Sequence, residues 1–540
     1  MPERPDPRAL AGWHPEPELI VLGDEAASRE ALRAAGAATW ETALDYLYEH
    51  AFVRTMGLPT DHDGLRAAFF GERGGPAPAP ADPVPLAAVL AEFRDRVAPH
   101  TLSAYHPRSF SYFTPPPLVA SIAGEILSQV AQQGIDVWHA GPVGAFVEEE
   151  VVRWLCDLVG YGPASFGLLT SGGVMANFIA MAVVRDVHLA RLLGNRARGL
   201  PPRGRDLEGV RVYASDQTHF SIGRALDELG FPPDTLVVVA SDEAFRLRAE
   251  PVAAAVAADR ARGKLPLAIC AVAGSTNTGS VDRLAELAEV ASGEGLWLHV
   301  DAAYGAAARL SARDAWRVPD LALADSVTVD PHKWLFQAYD IGGVMLRDGE
   351  LLRATFGGKQ PEYYRGGDRR AAAAASTAAA SAGEQPEDDG HGGADQLNFW
   401  RLGFEGTRRW RALKLWTSWK HVGSNGFGQL VAANIDLAAQ LAARIAASDD
   451  FEALPAEPEL SVVCFRHRPE GRGAPIADAA ALDAHQDRLQ QALEASGEGW
   501  VSTTRLRGAT WLRAGILNTQ STPDDIDRLL EALRVLAAAG

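Results

Sequence analysis

Cysteine is scarce in this chain. Three occur in 540 residues, Cys156, Cys270 and Cys464, far apart and each among apolar neighbours. That spacing excludes a disulfide framework and a cysteine-ligated metal; buried thiols in a reducing cytoplasm are the expectation, with no metal. The sequence shows no run of about 18 apolar residues, so no membrane partner is expected. MPERPDPRAL at the N-terminus lacks the charged-then-apolar layout of a signal peptide. Positive charge is also short: 51 Lys and Arg against 69 Asp and Glu give a formal charge of -18. Nucleic acid is therefore not an expected partner, because it needs a basic surface.

The remaining composition is that of a globular chain, 47% hydrophobic and 22% charged. Its length predicts more than one domain. Two stretches carry chemistry. HVDAAYG, His299 to Gly305, ends an apolar run on the carboxylate of Asp301. DSVTVDPHKW, Asp325 to Trp334, ends another on the amine of Lys333. Two strands that each deliver one charged group at the C-terminal end describe the crevice where open α/β sheets bind ligands. An unpaired buried acid or amine costs several kcal/mol, so each requires a partner. A pyridine ring carrying an aldehyde satisfies both, which points to pyridoxal phosphate. FGLLTSGGVMANF adds a strand, a glycine turn and a helix. Free N–H groups and the positive helix end there suit a phosphate, held by Ser171, Gly172 and Gly173.

The strings HVDAAYG and ADSVTVDPHKW closely resemble the group II pyridoxal-phosphate-dependent amino-acid decarboxylases, which include aromatic-L-amino-acid, tyrosine, tryptophan and glutamate decarboxylases. The resemblance runs from about His106 to near the C-terminus. It implies an α/β fold of type I, like aspartate aminotransferase, with a large seven-stranded, mostly parallel sheet. The implied domains are a helical N-terminal dimerisation segment with a Pro/Gly-rich linker (1–115), a large cofactor domain with a mobile loop near 357–395 (116–423) and a small C-terminal α/β domain (424–540). It further implies a homodimer with a shared active site.

The resemblance also carries roles to particular residues. SDQTHFSIGRA matches the segment whose histidine stacks on the pyridine ring, here His219. Thr276 lies near the cofactor oxygen, and Ala303 packs on the ring face opposite the histidine. Asp330 and His332 precede the lysine and flank the phosphate or the lysine itself. Tyr112 and Phe113, in HPRSFSYF, match a stretch lining the substrate side chain, and Asp136 stands where relatives place an apolar group from the partner subunit. Tyr363, with Tyr364 as the neighbouring alternative, matches a loop tyrosine that returns a proton after carbon dioxide leaves.

The implied reaction is decarboxylation of an L-amino acid, aromatic by preference, to its amine. Alternatives are a decarboxylase of an aliphatic, basic or acidic amino acid, an aldehyde synthase, or an aminotransferase. A non-enzymatic dinucleotide- or phosphate-binding protein would leave Lys333 unexplained and lacks a GxGxxG fingerprint. Arg408, Arg409, Arg411 and Lys414 form a charge run of the kind that usually marks a solvated helix face.

Overall fold

A computed structural model describes residues 26–55, 62–71, 74–194, 201–358 and 397–539. Tyr363 and Tyr364 lie outside the described residues, as does the Ala-rich insertion after them. The chain forms two compact units. One comprises the described residues up to Ser109 together with Leu489–Trp500 and the described residues from Asp527 onward. The other comprises Phe110–Arg488 and Val501–Ile526.

The smaller unit contains helices Ala26–Asp45, His62–Phe70 and Leu86–Glu92. Residues 74–85, rich in proline and glycine, are without helix or strand, as their composition predicts. Later chain is tied to earlier chain through the backbone: Trp500 N donates to Arg108 O at 3.0 Å, and Thr55 N to Gly497 O at 3.2 Å.

In the larger unit, seven strands form one sheet among the described residues. They are β1 (Phe166–Thr170), β2 (Val210–Ser215), β3 (Leu236–Val239), β4 (Leu265–Val272), β5 (Trp297–Asp301), β6 (Ser326–Val329) and β7 (Gly342–Leu346). Their order is β1-β7-β6-β5-β4-β2-β3. Only β7 runs against the rest, pairing antiparallel with β1 and β6. No crossover helix separates it from β6, which is why its direction reverses. Except for the edge strand β3, whose Val238 is exposed, the strands are largely apolar runs buried on both faces, as a helix-covered parallel sheet requires. Helix Gly173–Val183 and its π-helical continuation to Leu189 pack against the sheet and are mostly buried. The 20-residue stretch Gly173–Leu192 is long and apolar enough to cross a membrane by composition, yet most of it is buried as a core helix.

A second sheet of four antiparallel strands has the order β10-β11-β9-β8, with β8 Phe451–Ala453, β9 Val462–His467, β10 Ser502–Leu506 and β11 Ala509–Gly515. The long run Ala412–Ala446 is two helices meeting at Gly423, whose φ of 70° lies in the left-handed region that glycine tolerates. All three cysteines are free and buried, and burial pushes each thiol up.

The charge run is not a solvated face. Arg408 and Lys414 are fully buried, and Arg411 nearly so. Arg408 clasps the equally buried Glu148, its Nη1 3.2 Å from Oε2. Arg411 forks onto Glu405 at 2.7 and 2.8 Å, and Lys414 pairs with Glu125 at 2.9 Å. Carboxylates from three other segments converge on this helix start, which the local pattern of the run does not reveal.

Candidate active site

The sheet brings one cavity of about 390 Å³ to the C-terminal ends of its parallel strands. Ser171 to Gly173 follow β1, His219 follows β2, Thr276 follows β4, Asp301 ends β5, and Asp330, His332 and Lys333 follow β6. All of them line the cavity, with Ala303 and Phe113. Residues as far apart in sequence as Ser171 and Lys333 thus meet because parallel strands align their C-terminal ends.

Lys333 Nζ lies 3.1 Å from Asp330 Oδ2. Asp301, almost fully buried, accepts from the amide of Asn177 at 2.8 Å and from Ala303 N at 3.1 Å. Burial holds the His219 imidazole below its usual range, against the opposing pull of Asp301. Burial lowers His332 likewise, against Asp330; its Nδ1 accepts from Ile341 N at 3.3 Å. The phosphate turn is close-packed. A Cβ on Gly172 would sit 3.1 Å from the His332 ring, and one on Gly173 would sit 2.8 Å from Asp330 Oδ2. At the facing end of β7, a Cβ on Gly342 would lie 2.4 Å from Gly172 Cα, so the approach of the two strands requires glycine.

Pyridoxal phosphate fits this donor set. Asp330 Oδ2 faces the Lys333 amine, while its Oδ1 is buried without a hydrogen-bond partner among the described residues. The turn at Ser171–Gly173 opens a helix of 11 residues, whose first N–H groups suit a phosphate. Asp301, at the opposite end of the donor set, suits a ring nitrogen that must stay protonated.

Of the expected pocket residues, Phe113 lines this cavity and Tyr112 does not, while Asp136 is the one expected to come from the partner subunit. Phe113 turns inward and stacks on Tyr304, centroids 4.4 Å apart, while its neighbour Tyr112 is 64% exposed. The chain bends at Ser111–Phe113, which leaves one ring buried and its neighbour exposed. Asp136 is half-buried, and its carbonyl accepts from Trp400 N at 3.1 Å; it does not line the cavity. Arg108 pairs with Glu498 at 2.9 Å.

Sequence reasoning passed over Asn177, a buried residue of the cavity wall, and Ser221, fully buried behind it. The available signal was polarity in the wrong place: a lone Asn in the apolar helix GVMANFIAMAV. His299, equally buried in β5, is another such polar residue.

Residues 72–373 and 387–468 match the pyridoxal-dependent decarboxylase conserved domain. The aromatic-L-amino-acid decarboxylase of Bacillus atrophaeus is 32% identical over 433 residues, covering 80% of this chain and 81% of that protein. An L-2,4-diaminobutyrate decarboxylase of Rhizobium meliloti (strain 1021) is 30% identical over 522 residues, 95% and 93% of the two chains. The crystal structure of Oryza sativa TDC with PLP and tryptamine has a TM-score of 0.81 at 22% identity, covering 96% of this chain and 99% of that one. That likeness concerns the fold.

Proposed function

The chain belongs to the pyridoxal-dependent decarboxylases, enzymes that remove carbon dioxide from amino acids, and we propose that its substrate is an aromatic L-amino acid. The convergence of Lys333, Asp301 and His219 on one cavity carries the reading of the reaction. Phe113 in its wall supports the aromatic side chain. Among the described residues, no arginine lines the cavity, and no carboxylate besides Asp301 and Asp330 does. A distal carboxylate or ammonium on the substrate would find no obvious partner there, although a diaminobutyrate decarboxylase stands among the relatives.

When bound, pyridoxal phosphate supplies an aldehyde that captures the substrate amine and a protonated ring that accepts the electrons released with carbon dioxide. Lys333 would hold its aldehyde carbon, Ser171, Gly172, Gly173 and His332 its phosphate, and Thr276 a ring oxygen. Asp301 would keep the proton on the ring nitrogen, because a neighbouring carboxylate favours the charged form. Ala303 and His219 would line the ring, and Asp330 orients Lys333. Tyr363 returns a proton to Cα. Retention of both His219 and Tyr363 favours amine over aldehyde as product.

The proposal includes a homodimer. Val119, Ile126, Leu127 and Val130, on helix Val119–Ala131, are each at least half exposed and form an apolar surface suited to a second copy. A reducing cytoplasm suits the three free thiols.

The test is amine and carbon dioxide production from a panel of L-amino acids with pyridoxal phosphate, with aldehyde and peroxide assayed in parallel. Stoichiometric amine and carbon dioxide from tyrosine, tryptophan, phenylalanine or dihydroxyphenylalanine is expected. Turnover of diaminobutyrate or glutamate alone would overturn the substrate, and aldehyde with peroxide would overturn the product.

A further inference from the structure

Under the cavity runs a chain of hydrogen bonds with one consistent direction. Its hub is Asn177, whose amide nitrogen lies 2.8 Å from Asp301 Oδ2 and 2.8 Å from Ser221 Oγ. An ionised carboxylate only accepts, so the NH2 side must face Asp301. The amide oxygen then faces the other way, where it accepts from Thr328 Oγ1 at 2.6 Å and from His299 Nε2 at 3.0 Å. Burial holds His299 down to about 4, so its ring is neutral; with the proton on Nε2, Nδ1 is bare. Ser326 Oγ sits 2.8 Å from that Nδ1 and itself accepts from Trp297 Nε1 at 2.9 Å, an atom that can only donate. Every link from the indole to Asn177 therefore agrees with the orientation that Asp301 demands.

The same logic extends to the histidine beside the cofactor. Asn177 gives its second amide hydrogen to Ser221 Oγ, which leaves the serine proton free to point at His219 Nδ1, 2.8 Å away. The Ser221 backbone N–H is directed at the same nitrogen at 3.4 Å. Two donors on Nδ1 leave no room for a ring proton there. No hydrogen bond of the described residues reaches His219 Nε2, and the ring lines the cavity.

We infer that this network locks His219 in the tautomer protonated on Nε2, so that the imidazole presents a hydrogen-bond donor to an anionic group of the substrate, its carboxylate. Ser221 and Asn177 are then positioning residues. One amide fixes both the acid and the imidazole, which couples the two sides of the cofactor ring. The charged groups that act on His219 are Asp301 and Asp330, which favour its protonation, and Lys333 and Arg224, which oppose it. The donation from Ser221 acts with the latter, since a donor at Nδ1 stabilises the neutral ring. The inference rests on the reading of His219 as the residue beside the cofactor.

The experiment is nitrogen NMR of the holoenzyme labelled with 15N in its histidine rings, with His219→Gln to assign the signals. In the wild type, the His219 proton should reside on Nε2, with Nδ1 bare. Ser221→Ala should release the second tautomer and raise the pH at which His219 protonates. It should lower kcat by roughly tenfold to a hundredfold, by analogy with the outer hydrogen-bond partner of a metal-bound histidine, with the bound cofactor's visible band unchanged. Ser221→Thr, which keeps the hydroxyl, should restore the wild-type tautomer. A wild-type ring protonated on Nδ1, or a tautomer indifferent to Ser221→Ala, would overturn the inference. The tautomer is read without turnover, so failure of the decarboxylase reading would appear separately, in the product assay.

Discussion

Arg408 and Glu148 are fully buried, and Asp330, beside the cavity, is nearly so. Around Arg408 the hydrogen-bonding capacity is largely consumed within the protein. Its guanidinium reaches both Glu148 oxygens, Leu169 O at 2.7 Å and Ile135 O at 3.3 Å, while Glu148 Oε1 also accepts from Leu169 N at 3.3 Å. Because β1 is an edge strand, the outward N–H and C=O of Leu169 would otherwise lie buried and unpaired; the ion pair takes the place of a neighbouring strand. Around the cavity the reverse holds. Asp330 Oδ1 and His219 Nε2 have no protein partner among the described residues, and Lys333 reaches one carboxylate oxygen. Arg408, of whose guanidinium only Nε is unpartnered, spends its charge on the fold, whereas Lys333 and His219 line the cavity and turn their free capacity toward it.

The largest effects should come from the open cluster. Lys333→Ala is expected to abolish decarboxylation and the label that borohydride fixes on the protein, with the thermal unfolding midpoint of the apo form little changed. Asp301→Asn should lower kcat by roughly 10²- to 10³-fold, as loss of one charge-stabilising group does, while the cofactor still binds. A large loss of apo stability in either variant would break the comparison.

The closed cluster should respond in stability instead. Glu148→Ala strands a buried guanidinium and both polar groups of Leu169, so denaturant unfolding should show a loss of about 3–5 kcal/mol. Activity per folded, cofactor-loaded molecule should fall much less. Leu169 is two residues from Ser171, so a weakened affinity for inorganic phosphate or cofactor would show how far the ion pair also sets the phosphate turn.

The smallest effect concerns His299. Burial lowers its folded pKa from 6.5 to about 4. Between those values the unfolded chain binds a proton that the folded protein does not, so stability rises with pH across that window. It is lost as pH falls from about 6.5 toward 4, by no more than about 3.4 kcal/mol from this group. Subtracting the same titration of His299→Gln isolates it from Asp282, whose buried carboxyl is pushed up to about 7 and slopes the opposite way. A flat difference would mean that His299 is not held neutral.

Much of the site was legible before any fold. Asp301, Lys333 and the Thr170–Gly173 turn each end an apolar run, and a parallel sheet makes run ends neighbours. Phe113 and Tyr112 were not separable, because HPRSFSYF does not state which ring the bend leaves buried. The basic run at Arg408 was misread because exposure is a property of what packs against a helix, and its carboxylates come from Glu125, Glu148, Asp340 and Glu405.

The sequence by itself determined the order of strands and helices, the chemistry of the cofactor and the residues that end each parallel strand. These follow from local periodicity and from residue types with few uses. The tertiary structure alone decided which charges are closed and which are open, and which polar residues lie beneath the cavity. Asn177, Ser221, His299 and Trp297 lie between positions 177 and 299, and their direction of donation exists only once linked partners are within about 3 Å of each other, because a hydrogen bond's sense depends on both partners.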